Sequence, residues 1–175
     1  MKQRIRLGVS ACLMGKTVRY DGQSKFDPSL VTELSRFAEL LPLCPETEAG
    51  LSVPRPPMRL VGAADAPHLI VIENGEDMTA ELEAWIEEKC SWLLREGICG
   101  LVLKSKSPSC GPSHVEVFEK DGTSAGWGLG LFAAACKRSF PLMPMADEKE
   151  IGTAIGIWDF EKSLRAYCEQ LPATM

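Results

Sequence analysis

Short apolar segments alternate along this chain with segments whose apolar residues recur at helical spacing. Residues 5–9, residues 40–43 and Gly100–Leu103 are short and apolar enough to be buried strands, whereas Thr79–Arg95 has the period of a long amphipathic helix. Because parallel strands joined by helices form a sheet covered on both faces, this order predicts a mainly parallel sheet. We therefore expect an α/β fold, a three-layer Rossmann-like domain.

The rest of the chain continues the same alternation. The further predicted elements are a helix from Asp27-Pro28 through 38, strands at 69–72, Val115–Phe118 and 142–144, a helix that follows the glycine-rich turn 126–130, and a final helix at 159–170. Residues 53–57 contain three prolines and are expected to form a rigid extended segment. No repeat or linker interrupts residues 1–175, so the sequence predicts a single domain.

The composition is that of an acidic globular protein. The 175 residues are 45% hydrophobic and 25% charged, which suits one domain with an ordinary core. A formal net charge of −5 provides no overall positive field for nucleic acid, and no DNA-binding motif is present. No apolar stretch reaches the roughly 20 residues of a membrane helix, and the start lacks a convincing signal peptide. We expect a cytoplasmic protein whose partners include neither DNA nor a membrane.

The seven cysteines carry the strongest chemical signal. An odd number of cysteines without an export signal argues against a disulfide framework and favours thiol chemistry or metal binding. Cys12, Cys44 and Cys110 share one context, because each follows a predicted strand. Ligands of α/β sheets bind beyond the carboxyl ends of the strands. The pattern therefore predicts that these three thiols converge on one site.

The other four cysteines have a different context. Cys90, Cys136 and Cys168 lie within predicted helices, and Cys99 precedes a strand. Free cysteine packs as a small hydrophobic residue. We expect these four side chains to be buried structural thiols.

Three thiolates restrict the choice of metal. Structural zinc usually takes four ligands, often from paired cysteines, but this chain contains no C-x₂-C or C-x₄-C pair. Three soft thiolates on separate loops suit an iron–sulfur cubane whose fourth iron stays open. The residues alone leave two alternatives: a zinc hydrolase that uses the same thiolates and a water, and a non-catalytic iron–sulfur or zinc sensor.

Five short segments, three of which contain the cysteines, connect the chain to a known family. The chain resembles the DUF523 family, which includes the thiouracil desulfidases, in the segments SACLMG (10–15), VRYDG (18–22), LCPE (43–46), PRPP (54–57) and KSKSPSCG (104–111). This resemblance implies a [4Fe-4S] cluster bound by Cys12, Cys44 and Cys110. It also implies an enzyme that removes sulfur from thiolated uracil, either 2-thiouracil or 4-thiouracil as base or nucleoside, releasing hydrosulfide and forming uracil.

The same resemblance implies catalytic residues. The glutamate of CPE and the first serine of SPSC correspond here to Glu46 and Ser107. Some relatives carry a further C-terminal domain and act on thiouridine in tRNA; no such domain is predicted here. A small thiolated pyrimidine is therefore the expected substrate, and tRNA is not.

The chemistry of these parts predicts a mechanism without net redox change. A soft thiocarbonyl sulfur suits the open iron, and Glu46 is placed in sequence to move a proton to or from the attacking water. Ser107 is expected to hydrogen-bond the substrate or relay a proton. The simpler alternatives are a helix N-terminal carboxylate for Glu46 and a loop hydrogen bond for Ser107.

Charged residues near the motifs complete the predicted site. A cubane with three thiolates carries a charge of about −1, which nearby cations offset. The candidate cations are Arg19, Arg55, Arg59, Lys104 and Lys106. Arg19, Asp21 and Arg55 are the predicted substrate contacts, although Asp21 before Gly22 also fits a turn.

Overall fold

A computed structural model of the chain describes residues 4–171, which form eight strands and five helices. In chain order these are β1 (Ile5–Ser10), α1 (Pro28–Ser35), β2 (Ala38–Leu43), α2 (Pro45–Glu48), β3 (Met58–Ala63), β4 (Ala66–Val71), α3 (Thr79–Arg95), β5 (Gly100–Leu103), β6 (Val115–Phe118), β7 (Ser124–Gly128), α4 (Leu131–Ser139), β8 (Met145–Asp147) and α5 (Ala154–Cys168). None of the helices within residues 4–171 is long and apolar enough to cross a membrane.

Four strands form a fully parallel sheet in the order β2-β1-β5-β8. The register pairs Ser10 with Leu43 and Val9 with Val102, so β1, β2 and β5 end at the same edge. This arrangement confirms the predicted α/β fold with a mainly parallel sheet. The edge where these three strands end is the place at which the loops with Cys12, Cys44 and Cys110 begin.

A second four-stranded sheet, in the order β4-β3-β6-β7, was absent from the sequence prediction. It is mixed, since β3 pairs antiparallel with β4 but parallel with β6, and β7 pairs antiparallel with β6. The expected turn at 126–130 is partly wrong, because Ser124–Gly128 is strand β7. Its sequence, SAGWG, has no β-branched residue, and pairing with β6 rather than local propensity defines it.

The parallel sheet separates two layers of core. Ile5, Leu7 and Val9 of β1 face α1 and α5, where Leu34 and Leu164 are fully buried. The other face packs against α3, α4 and the second sheet, through the residues Leu43, Leu101, Leu103, Leu60, Leu93 and Phe132. Gly8 points to this second face, where a Cβ would lie 2.6 Å from Leu101 Cδ2. Each face of the sheet is therefore closed from solvent, as parallel sheets require.

Several predicted boundaries are wrong by a few residues. Ala38 belongs to β2 and not to the preceding helix, the last strand is Met145–Asp147 instead of 142–144, and the last helix begins at Ala154 instead of 159. The early start of α5 has a local cause. Thr153 caps it, since its hydroxyl oxygen accepts a hydrogen bond from Gly156 N at 3.0 Å.

The expectation that Cys99 and Cys168 are both free thiols is wrong. Their sulfurs form a disulfide, with the Cα atoms 5.2 Å apart. Cys99 lies just before β5 and Cys168 is the last residue of α5, so the bond ties the C-terminal helix to the central sheet. Cys90 and Cys136 are free, with Cys136 buried and Cys90 partly buried, as the sequence predicts for structural thiols.

Replacing both Cys99 and Cys168 with alanine is expected to lower the free energy of unfolding by about 2–4 kcal/mol, because the crosslink no longer restricts the unfolded chain. The urea midpoint of the oxidised double variant, measured beside the wild type, gives the difference. Iron content should be unchanged, since neither residue lies in the cavity described below. An unchanged midpoint would show that the pair does not crosslink the protein in solution.

Candidate active site

A cavity of about 420 Å³ opens at the carboxyl ends of β1, β2 and β5, and Cys12, Cys44 and Cys110 all line it. Cys12 lies two residues beyond β1, Cys44 directly follows β2, and Cys110 belongs to the loop after β5. Three segments far apart in sequence therefore place one thiol each at the same cavity. The structure brings together the three cysteines that the sequence singled out.

Backbone hydrogen bonds fix the loops that carry these thiols. Ala11 N donates to Leu43 O at 2.7 Å, which continues the pairing of β1 with β2 up to the two cysteines. Lys25 N donates to Cys12 O at 2.9 Å. A Cβ at Gly130 would lie 2.6 Å from Cys110 N, so the chain before α4 can pack against the Cys110 loop only with glycine there.

The thiols perturb one another. Burial raises the pKa of Cys12 to about 12, and the neighbouring Cys110 and Cys44 add to the rise, whereas Lys104 and Arg19 oppose it. Burial likewise raises the pKa of Cys110 to about 11, against hydrogen bonds from Ser107 and Ser10. Both groups are therefore protonated thiols near neutral pH in the metal-free protein. Metal binding at these sulfurs must release protons.

Glu46 faces the same cavity and is held at both oxygens. Its Oε2 accepts a hydrogen bond from Arg55 Nε at 2.6 Å, and its Oε1 accepts one from Ser109 Oγ at 2.6 Å. The side chains of Glu46 and Arg55 are only 13% and 6% exposed. Arg55 also donates to the carbonyl oxygens of Val18 and Ser52. The carboxylate is therefore oriented by a buried guanidinium that is itself fixed to two loops.

Glu46 and Glu48 both lie in the first turn of α2, as the helix N-terminal alternative for Glu46 requires, but their side chains make different contacts. Glu48 Oε1 accepts a hydrogen bond from Cys44 N, the N-cap of α2, at 3.0 Å. Glu48 Oε2 also pairs with Lys89 at 2.9 Å. Glu48 is the fourth residue of α2, and its side chain reaches back over the first turn to the N-cap backbone. Glu48 stabilises the helix start, while Glu46 points to Arg55 and Ser109.

The two serines of the SPSC motif have different contacts. Ser107 Oγ accepts hydrogen bonds from Ser109 N at 3.3 Å and Cys110 N at 3.2 Å, so it supports the loop, and it also lines the cavity. Ser109, which the sequence reasoning did not select, contacts Glu46 directly. The motif contains both serines, and only the fold distinguishes their positions.

Only two of the three predicted substrate contacts line the cavity. Arg19 and Arg55 line the cavity, but Asp21 does not. Asp21 accepts hydrogen bonds from Arg19 at 3.3 and 3.4 Å and from Gln23 N at 3.1 Å, which is the pattern of a turn. In the structure Asp21 thus orients Arg19, and Arg55 is engaged by Glu46.

A second acidic residue, Glu148, was also missed. It forms an ion pair with Lys104, and it accepts hydrogen bonds from Ser105 N at 2.8 Å and Ser105 Oγ at 2.7 Å. Burial alone would raise the pKa of Glu148, but the hydrogen bonds from Lys104 and Ser105 lower it overall. Because Glu148 follows β8, it joins the C-terminal part of the chain to the start of the Cys110 loop.

The cavity offers three soft sulfur donors, from Cys12, Cys44 and Cys110. Thiolates of this kind suit an iron–sulfur cluster and also zinc. Fold and site together define an α/β protein with a cysteine-lined cavity at the carboxyl edge of a parallel sheet.

Comparisons with known proteins agree with this class. The sequence profile of the 2-thiouracil desulfurase family matches residues 7–148. The chain therefore belongs to the 2-thiouracil desulfurase family, which confirms the resemblance to the DUF523 desulfidases. It is 30% identical over 139 residues to the uncharacterized protein YbbK of Bacillus subtilis (strain 168), covering 75% of this chain and 89% of YbbK.

A solved structure extends the likeness over nearly the whole chain. The fold is similar to that of the [4Fe-4S]-dependent thiouracil desulfidase TudS, with a TM-score of 0.71 and 32% identity. The match covers 94% of this chain and 99% of TudS. The overall fold is therefore shared over most of both chains.

Proposed function

We propose that this protein is a [4Fe-4S]-dependent desulfidase that replaces the thiocarbonyl sulfur of a thiolated uracil with oxygen. The observation that carries the proposal is the convergence of Cys12, Cys44 and Cys110 on one cavity that also presents Glu46. Membership of the 2-thiouracil desulfurase family and the likeness to TudS support the same substrate class and cofactor.

Cys12, Cys44 and Cys110 would hold the cluster through their sulfurs. Soft thiolates are the usual ligands of iron–sulfur clusters. Three thiolates on four irons leave one iron without a protein ligand, and when bound, the cluster supplies there a Lewis acid that binds and polarises a thiocarbonyl sulfur. Lys104 and Arg19, which lower the pKa of Cys12, would offset part of the negative charge of the thiolates.

Glu46 would accept the proton of the attacking water. Arg55 holds one carboxylate oxygen of Glu46 and Ser109 holds the other, so the base is fixed in orientation. The C=S bond of the substrate is replaced by a C=O bond with oxygen from water, and sulfur leaves as hydrosulfide. No electrons are gained or lost. Ser107, whose oxygen accepts from two backbone N–H groups at the edge of the cavity, would hydrogen-bond the substrate or relay a proton.

The cavity volume favours a small substrate. About 420 Å³ lies near the lower end of the volumes of small-molecule sites. A pyrimidine base or nucleoside has suitable dimensions, whereas a folded RNA would have to bind mainly outside the cavity. The acidic net charge of −5 also favours a small molecule over RNA.

A panel of thiolated pyrimidines tests the proposal. Anaerobically reconstituted protein is incubated with 2-thiouracil, 4-thiouracil and their nucleosides, and both hydrosulfide and the oxygenated product are measured. We expect equal amounts of the two products from at least one compound. A cluster-loaded protein that turns over none of them would instead favour the sensor alternative.

Ser109→Ala is expected to lower turnover by about 10- to 100-fold, because Glu46 loses the hydrogen bond that orients one oxygen. Iron content should stay at the wild-type level. Ser91→Ala provides the control, since the Ser91 hydroxyl bonds Glu87 O on α3, away from the cavity. Wild-type turnover by Ser109→Ala would show that Arg55 alone positions the carboxylate.

A further inference from the structure

Ser10 is a buried hydroxyl beside one of the proposed cluster ligands. It is the last residue of β1, it is 3% exposed, and it lines the cavity. Its Oγ lies 3.6 Å from Cys110 Sγ, although the two residues are 100 positions apart in the chain. The same Oγ lies 2.9 Å from Lys104 N.

The second contact leaves the hydroxyl hydrogen of Ser10 free. A backbone N–H can only donate, so Ser10 Oγ accepts from Lys104 N. A hydroxyl has one hydrogen, which the Lys104 bond leaves free. Within residues 4–171 the other polar partner of Ser10 Oγ is Cys110 Sγ. When Cys110 is a thiolate, its sulfur can only accept, so the hydroxyl hydrogen of Ser10 then points to the sulfur.

Strand pairing holds this geometry in place. β1 and β5 are parallel neighbours, with Val9 opposite Val102, so Ser10 at the end of β1 lies beside Lys104, which directly follows β5. The Lys104 backbone is fixed in turn because Ser105 N donates to Glu148. The hydroxyl is thus anchored by the central sheet and by the loop that leads to Cys110.

We propose that Ser10 is a positioning and tuning residue that donates its O–H hydrogen bond to the Cys110 thiolate when that sulfur holds the cluster, an inference that rests on the proposed function. A thiolate accepts a stronger hydrogen bond than a thiol, because the acceptor is charged. The bond therefore favours the metal-bound state of Cys110. Hydrogen bonds to cluster sulfurs also set the reduction potential, and withdrawing charge from the sulfur raises it.

Ser107 is a second hydroxyl neighbour of Cys110. Hydrogen bonds from Ser107 and Ser10 both act against the rise of the Cys110 pKa that burial causes. Ser107 supports the loop through two backbone N–H groups, so its replacement would also move Cys110. Ser10 lies on the neighbouring strand, and its replacement leaves those loop bonds intact.

The variants Ser10→Thr and Ser10→Val form a matched pair. Threonine and valine have nearly the same shape, and only threonine keeps the hydroxyl. Cluster-loaded Ser10→Val should have a more negative reduction potential than wild type and should lose iron to a chelator about tenfold faster. Ser10→Thr should stay near wild type in both measurements. Threonine adds one methyl group to serine, and valine adds the same group and replaces the hydroxyl with a second one. The two side chains therefore fill the same space and differ only in the hydroxyl that contacts Cys110 Sγ and Lys104 N.

Equal potentials and equal rates of iron loss in the two variants would overturn the proposal. This failure is distinguishable from a failure of the proposed function. If the wild type holds its cluster and turns over thiouracil, the proposed function stands even when the role of Ser10 does not. A wild type that binds no iron would overturn both. The melting temperature of each cluster-free variant shows whether it folds. If Ser10→Val does not fold, the reduction potential and the rate of iron loss of Ser10→Ala are compared with those of the wild type.

Discussion

Replacing Cys12, Cys44 or Cys110 singly with alanine is expected to abolish the brown chromophore of anaerobically reconstituted protein and nearly all of its bound iron. Each thiol lines the same cavity, and no other cysteine of residues 4–171 does, so a lost sulfur has no substitute there. Visible absorbance and iron analysis of each variant measure the effect. Turnover of thiolated uracil should be lost together with the iron.

Cys90→Ala and Cys136→Ala are the matched controls. Both residues are free cysteines that pack in or against the core on α3 and α4. Their replacement should leave iron content unchanged and cost about 1 kcal/mol or more of stability at the buried Cys136. Iron loss in either control, or full iron retention in any variant of the first three, would show that the assignment of ligands is wrong.

Glu46→Gln is expected to keep the iron and the affinity for thiolated base but to lower turnover by about 10²–10⁴-fold, the usual contribution of a general acid or base. The amide has the shape of the carboxylate and keeps one oxygen to accept a hydrogen bond. It cannot accept the proton of water. Cluster absorbance, substrate affinity and single-turnover sulfide release on this variant separate binding from chemistry.

Glu48→Gln is the control for Glu46, because it changes the neighbouring carboxylate of the same short helix. Glu48 caps Cys44 N and pairs with Lys89, so its loss should cost about 0.3–1 kcal/mol of stability and leave turnover unchanged. If Glu46→Gln releases sulfide at the wild-type rate with its cluster intact, Glu46 is not the base, and Ser107 becomes the next candidate.

The parallel sheet could be predicted because its strands are short, apolar and separated by periodic helices. The sequence predicted β1, β2 and β5 within two residues of their bounds, and it predicted both bounds of α3. The start of α3 shows what local sequence leaves open. There Thr79 does not cap the helix; its hydroxyl accepts from Leu69 N at 2.9 Å, and Met78 is the N-cap. The local sequence determines the helical period, whereas the hydrogen-bond partner of a side chain such as that of Thr79 depends on its neighbours in the fold.

The second sheet could not be predicted for the same reason. β7 has the composition of a turn and becomes a strand by pairing with β6. The Cys99–Cys168 bond depends on how α5 packs against β1 and β5, which no spacing rule determines. Both features are consequences of tertiary contacts between distant segments.

Some residues of the candidate site could be predicted from the sequence, and others could not. The three cysteines were found because each follows a predicted strand, and parallel topology brings strand ends together. Glu46 and Ser107 were chosen through the family motifs. The contacts of Ser109 with Glu46 and of Glu148 with Lys104 depend on distances between loops, so they emerged only from the fold.

Sulfide release from thiouracil by one preparation, before and after removal of its iron, tests the central claim most directly. We expect anaerobic chelation to abolish sulfide release. Adding iron and sulfide should restore release, which should be complete at about four irons per chain, the content of a cubane. Zinc should not restore it. Undiminished release from the iron-free protein, or recovery with zinc alone, would contradict the account.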